Sequence, residues 1–105
     1  MRPREMDVLN VLFSSTKPMT ASEVVSAKQA LTQSTVTVAL RCLLDSGYVE
    51  VVGKTYSGTV LSRTYRPTEK AKEAVVEHLL GEYENIKSVI SPEEFCERIQ
   101  ERFNA

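Results

Sequence analysis

Apolar residues recur along this chain at two spacings, and the switch between them marks its elements. Met6, Leu9, Leu12 and Phe13 fall on one helical face, so a first helix is expected from Pro3 to Ser15. Pro3 is tolerated in the first turn because its missing N–H has no intrahelical partner there. Ser14-Ser15-Thr16-Lys17-Pro18 is a breaker cluster. Thr20-Ala21-Ser22-Glu23 reads as a capping box opening a short second helix that ends near Lys28, with Val24, Val25 and Ala27 available to the core. Gln29 to Leu31 form a turn. A third helix starts at Thr32 as N-cap and stops at Gly47, where glycine supplies a left-handed conformation without steric cost. Along it Val36, Leu40 and Leu43 share a face flanked by Ala39 and Leu44. Ser34, Val38, Arg41 and Asp45 point the other way, with Thr35, Thr37 and Cys42 at the sides.

The period then drops to two. Tyr48–Val52 and Leu61–Arg66 alternate as strands, with Gly53 to Val60 as a flexible hairpin tip and Pro67 ending the second strand. Thr68 caps a fourth helix, along which Ala71, Val75, Leu79, Ile86 and Ile90 step down roughly one side, with an interruption or bend near Gly81. Ser91-Pro92-Glu93-Glu94 combines an N-cap, a proline at the first helical position and a capping-box glutamate. It opens a last helix whose stripe is Phe95, Ile99 and Phe103.

A short helix, a sharp turn and a longer helix is the spacing of a helix–turn–helix, whose second helix can lie in a major groove about 12 Å wide. The first turns of that helix offer Gln33, Ser34, Thr35 and Thr37 as hydrogen-bonding groups. Val38 can pack on a thymine methyl, and Arg41 can reach a guanine edge or a phosphate. The adjoining hairpin carries Lys54 and Arg63, and its tip, Lys54 to Gly58, is placed to straddle the backbone or enter the minor groove. Tyr56 either joins that contact or folds back onto the domain. Thr20 and Ser22, at the positive start of the second helix, are candidate phosphate contacts, although capping alone also accounts for Thr20. The expected fold class is mainly α with a small β-hairpin. Residues 1–67 would form a winged helix–turn–helix for DNA binding, and residues 68–105 a helical dimerisation region.

Charge supports the division. The net charge of −1 hides eight basic against five acidic residues over 1–67, a net of +3, and five against nine over 68–105, a net of −4. A positive front and an acidic tail suit a protein that presents one end to phosphate. With 42% hydrophobic and 26% charged residues the composition is that of a water-soluble domain. No apolar run approaches the roughly 20 residues of a membrane span, and the N-terminus lacks the apolar core of a signal peptide; the cytoplasm is expected. A chain of 105 residues buries only about two-thirds of its unfolded surface, so a partner subunit would help it. Val75, Leu79, Tyr83, Ile86, Ile90, Phe95, Ile99 and Phe103 exceed what a small core needs and are the candidate dimer contacts.

Catalysis finds no support. The single histidine, His78, lies in an acidic helix, and there are no paired carboxylates, nucleophile elbow, phosphate loop or zinc spacing. Cys42 and Cys96 are expected to be reduced and largely buried, with no metal and no cofactor.

The stretches Pro3–Leu9, Met19–Val25, Ser34–Val49 and Arg63–Pro67 resemble the penicillinase/methicillin-resistance repressor family, small dimeric winged-helix repressors. The resemblance covers roughly residues 3–67. It implies a repressor that binds a dyad-symmetric operator in double-stranded DNA as a homodimer, with the C-terminal helices making most of the interface. Two departures stand out: Asp45-Ser46 replaces the basic residues common before the terminal glycine, and the C-terminal part is short. Cys96 stands alone where copper-responsive relatives carry paired cysteines. The alternatives are a winged-helix domain used for protein–protein contact, or a regulator of another winged-helix family. An unknown effector or sensor protein is a further expected partner.

Overall fold

The computed structural model describes residues 1–104. The element order is α1 (Pro3–Ser14), α2 (Ala21–Ala27), α3 (Gln33–Asp45), β1 (Val49–Ser57), β2 (Val60–Pro67), α4 (Glu69–Ile86) and α5 (Pro92–Phe103). It is mainly helical with one antiparallel hairpin, as expected. The chain divides into two compact units, Met1–Val75 and Val76–Ala105.

In the first unit, Val8, Leu9, Val11 and Leu12 of α1 meet Val24 of α2, Leu31 of the turn, Val36, Ala39, Leu40 and Leu43 of α3, and Val49 and Ala71 in one buried cluster. Each large aliphatic side chain sealed in this way contributes about 1.5–3 kcal/mol. The face of α1 differs from the expectation. Phe13 is exposed and Met6 only half-buried, while Val8 and Val11 are buried, so the stripe is rotated toward α3. Ala27 is also exposed, because α2 stops at it and Leu31 fills the core from the turn.

Local signals set the helix ends. The Thr20 hydroxyl accepts from the Glu23 N–H at 3.2 Å, and the Thr20 N–H donates to Glu23 Oε1 at 2.9 Å, completing the capping box. Thr32 caps α3 by accepting from the Thr35 N–H. At the other end Gly47 has φ +77°, its N–H donates to Leu44 O, and the Tyr48 N–H donates to Leu43 O, the paired bonds of a Schellman stop. Thr68 donates to Gly47 O at 2.8 Å while accepting from the Ala71 N–H, which ties this stop to the start of α4.

The hairpin is longer than expected. Both strands run on through the predicted tip, and only Gly58-Thr59, with Gly58 at φ +67°, form the turn. A bulge at Val52 separates the pairs Val51↔Tyr65 and Gly53↔Thr64. On the other edge of β2, Tyr65 exchanges backbone hydrogen bonds with Met19 at 3.0 and 2.8 Å, which fastens the hairpin base to the segment before α2.

In the second unit α4 continues through Gly81 without the expected interruption, since one glycine costs a helix only about 1 kcal/mol. It ends at Ile86, so Ile90 lies beyond the helix and accepts a hydrogen bond from the Tyr83 hydroxyl. Ser91 caps α5 as expected, but Glu94 leaves the box half-made, its carboxylate engaging Arg98 at 3.0 Å instead. Among the described residues no helix is long and apolar enough to cross a membrane.

Candidate nucleic-acid interface

Burial of Val36, Ala39, Leu40 and Leu43 fixes how α3 is rotated, and so turns Gln33, Ser34, Thr37, Val38 and Arg41 outward. Val38, 51% exposed, is the one large apolar group on that face. Thr35 is half-buried beside them. The hydroxyls are already partly committed. Thr32 Oγ1 donates to Thr35 Oγ1 at 2.8 Å, leaving the Thr35 proton free for an outside acceptor. Thr37 Oγ1 donates to Gln33 O at 2.8 Å and so presents lone pairs, suiting it to accept from an amino group. Arg41 is exposed and, among the described residues, lies within salt-bridge distance of no carboxylate.

The turn between α2 and α3 is braced from α1. Lys28 donates to Asp7 Oδ1 at 2.7 Å and Arg4 to Asp7 Oδ2 at 2.9 Å. The Lys28 bond holds the Asp7 carboxyl below its ordinary range, against the upward push of burial, and Arg4 adds to the lowering. These two cations are therefore structural, whereas Arg41 is not spoken for. Of the two candidate phosphate contacts on α2, Ser22 is exposed, but Thr20 is only 2% exposed and both its polar groups serve the cap. Thr20 is thus a cap and not a surface contact.

On the hairpin, Lys54 pairs directly across from Arg63, and Tyr56 across from Leu61. Like charges opposed in this way destabilise a hairpin by about 0.2–1 kcal/mol. Neither cation has a carboxylate within salt-bridge distance among the described residues, because Glu50, the nearest acid on β1, is bonded to Arg66 with its Oε1 3.0 Å from Arg66 Nε. Tyr56 is 72% exposed, so it does not fold back onto the domain.

Arg2 is a further cation on this unit. It is exposed at the N-cap of α1 and lines a surface groove with Arg4, Ser34, Thr35, Val38 and Cys42, alongside the outer face of α3. Its only signal in sequence is its share of the positive charge of residues 1–67. Cys42 is half-buried as a lining group of this groove, and Cys96 is exposed, contrary to the expectation of burial, because α5 buries none of its residues.

No protein-family model matches the chain, and no curated protein sequence does. Solved structures do. PadR of Bacillus subtilis, solved in complex with operator DNA, superposes with a TM-score of 0.62 at 20% identity over 75% of this chain; the match spans 48% of PadR, about half its length. A PadR family transcription regulator from Clostridium difficile gives a TM-score of 0.59 at 17% identity, covering 82% of this chain and 92% of that one. The adhesin competence repressor of Streptococcus pyogenes gives 0.58 at 20% identity, covering 98% and 74%. The fold is a winged helix–turn–helix. All three neighbours are transcription regulators or repressors by name, and at 17–20% identity the likeness is one of fold. In that frame α2 and α3 are the helix–turn–helix, and β1 and β2 are the wing.

The candidate dimer contacts divide by environment. Val75 packs against the core of the first unit, so it is not free for a partner. In the second unit Tyr83 is half-buried and stacks on Phe95 with ring centroids 5.7 Å apart. Ile90 is also half-buried, while Leu79, Ile86, Phe95, Ile99 and Phe103 are exposed. Leu79, Tyr83, Ile86, Phe95 and Ile99 line one apolar groove, together with Leu80, which lies outside the expected stripe.

Proposed function

We propose that this protein is a sequence-specific DNA-binding regulator of transcription, a repressor that binds a dyad-symmetric operator as a homodimer. The observation that carries the reading is the outer face of α3, with exposed hydrogen-bonding groups, one exposed valine and Arg41, next to a wing with two opposed cations, none of the three cations having an acidic partner among the described residues. Such a surface reads base edges with Gln33, Ser34, Thr35, Thr37 and Val38 and grips phosphate with Arg41, Lys54 and Arg63. Ser22 and Arg2 lie on the same unit as further backbone contacts.

Residues 68–105 serve as the dimerisation region, through the apolar groove of α4 and α5. The face of α3 is neutral-polar and ends at Asp45-Ser46, so each subunit gains modest electrostatic affinity and two half-sites are needed. Kinship with the penicillinase/methicillin-resistance repressors is supported by the matching stretches of residues 3–67. The test is selection of bound duplexes from a random pool by the purified protein. A recovered site with two-fold symmetry and half-sites about one helical turn apart supports a dimer. Retention of random duplexes without enrichment defeats the reading.

A further inference from the structure

We infer that the apolar groove between α4 and α5 is a binding site for a lipophilic aromatic cation, held by the stacked rings of Tyr83 and Phe95 and by the Glu82 carboxylate. The site stands on the second unit alone. Its consequence rests on the dimer reading: the cation and a second subunit contend for one surface, so binding the cation loosens the dimer.

The groove has a volume of about 580 Å³, within the roughly 300–1,000 Å³ that sites for small organic ligands span. Leu80, Ile86 and Ile99 give it apolar walls. Tyr83 and Phe95 line it as well, with ring planes 6° from parallel and centroids 5.7 Å apart. The Tyr83 ring is held in place, because its hydroxyl donates to Ile90 O in the link between the two helices. Aromatic faces fixed in this way present π-electron density, which attracts a cation and not an anion.

Charge selects the same class of ligand. Among the described residues Glu82 is the one charged group that lines the groove. Its only salt-bridge neighbour, His78, is 4.0 Å away and carries charge only when protonated. Around it, residues 76–105 hold seven acidic against three basic residues, a net of −4. Arg98 and Arg102 line a separate groove past Phe95 and Ile99, together with Glu101, and Arg98 is bonded to Glu94. A second copy brings the same excess of acid to the groove, so like charge opposes its docking, whereas a cation is drawn in. A neutral apolar molecule would use the walls without the carboxylate, and an anion would be repelled by it.

The experiment is equilibrium dialysis of the full chain against tetraphenylphosphonium at low salt, with tetraphenylborate, an anion of the same shape, as the control. The cation should bind saturably and about tenfold more tightly than the anion, a preference that shrinks as salt screens the carboxylate. Glu82→Gln should weaken cation binding about threefold and narrow that preference. Phe95→Leu, which keeps apolar bulk and removes the ring, should weaken cation binding about fivefold and leave the anion unchanged. Both side chains are exposed, so circular dichroism should report both variants folded. In sedimentation at micromolar protein, saturating cation should shift dimer toward monomer. Equal affinity for the two ions, or no saturable binding of the cation, would overturn the site. Cation binding that leaves a dimer intact would overturn the competition with a second subunit. A chain that sediments as a monomer without ligand and still binds the cation would remove the dimer reading and leave the site standing.

Discussion

The two compact units treat their apolar residues in opposite ways. In Met1–Val75, Val8, Leu9, Val24, Val36 and Leu43 are sealed from solvent, and the apolar residues left outside are Phe13, Val38 and those of the hairpin. In Val76–Ala105, α5 buries no residue at all, and Leu79, Leu80, Ile86, Val89 and Phe103 stand exposed. The same apolar residue types thus do two jobs. In the first unit they close a core that holds α3 in a fixed rotation. In the second, two helices cannot cover one another's apolar stripes, and the groove they leave has the composition of an interface core. The contrast separates a unit organised around a sealed core from one whose larger apolar side chains stay open to solvent.

The sharpest break of this comparison is a core truncation. Leu43→Ala should lower the unfolding free energy by about 2–5 kcal/mol, read by urea titration, because that side chain is fully buried in the shared core. Ile99→Ala, a similar truncation on the exposed stripe, should leave the melting of the first unit unchanged. If both variants lost stability equally at a concentration where the protein is monomeric, the two units would not differ as described.

The second prediction concerns assembly. Phe95→Ser with Ile99→Ser should convert a sedimenting dimer to a monomer at micromolar concentration and weaken operator binding, while far-ultraviolet circular dichroism still reports a folded first unit. A double variant that sediments as wild type would remove the groove from the interface.

Smaller effects test the helix ends that hold α3 in place. Gly47→Ala forces a Cβ into a φ of +77° and should cost about 1–2 kcal/mol by denaturant titration. Thr20→Ala removes a buried cap and should cost about 1 kcal/mol, with no change in the salt slope of DNA binding, since its hydroxyl is not at the surface. A changed slope would return Thr20 to the phosphate contacts.

The smallest effect is the ionic brace. Asp7 has a lowered carboxyl pKa in the folded protein, so its pairing stabilises the fold above the unfolded carboxylate range and is lost as pH falls through the lowered value. Asp7→Asn should remove that part of the acid sensitivity, a difference of under about 1 kcal/mol in a urea titration repeated from neutral to acidic pH. A variant with the same pH profile as wild type would mean that the brace is not coupled to folding.

Local chemistry is legible in the residues themselves. Thr20 with Glu23, Thr32, Gly47, Thr68 and Ser91 mark helix ends by hydrogen bonds that span only a few residues, and each forms as the sequence leads one to expect. The inward face of α3 is legible for the same reason, because Val36, Leu40 and Leu43 repeat at the helical period. Three features belong to the tertiary structure alone. The face of α1 is set by packing into the shared core, which buries Val8 and Val11 and leaves Phe13 outside. The exposure of Cys96 and the loss of Val75 to the first unit's core depend on which neighbours those residues meet. Most consequential is the bulge at Val52. A single unpaired residue is hinted at in the sequence only by the neighbouring Gly53, which does not fix its position, yet it decides which face of the wing Lys54 and Tyr56 occupy. Strand register is fixed by pairing across the hairpin, between residues that the chain alone does not align. The residues therefore determine that there is a helix–turn–helix and a wing, and only the cross-strand pairing determines what the wing presents.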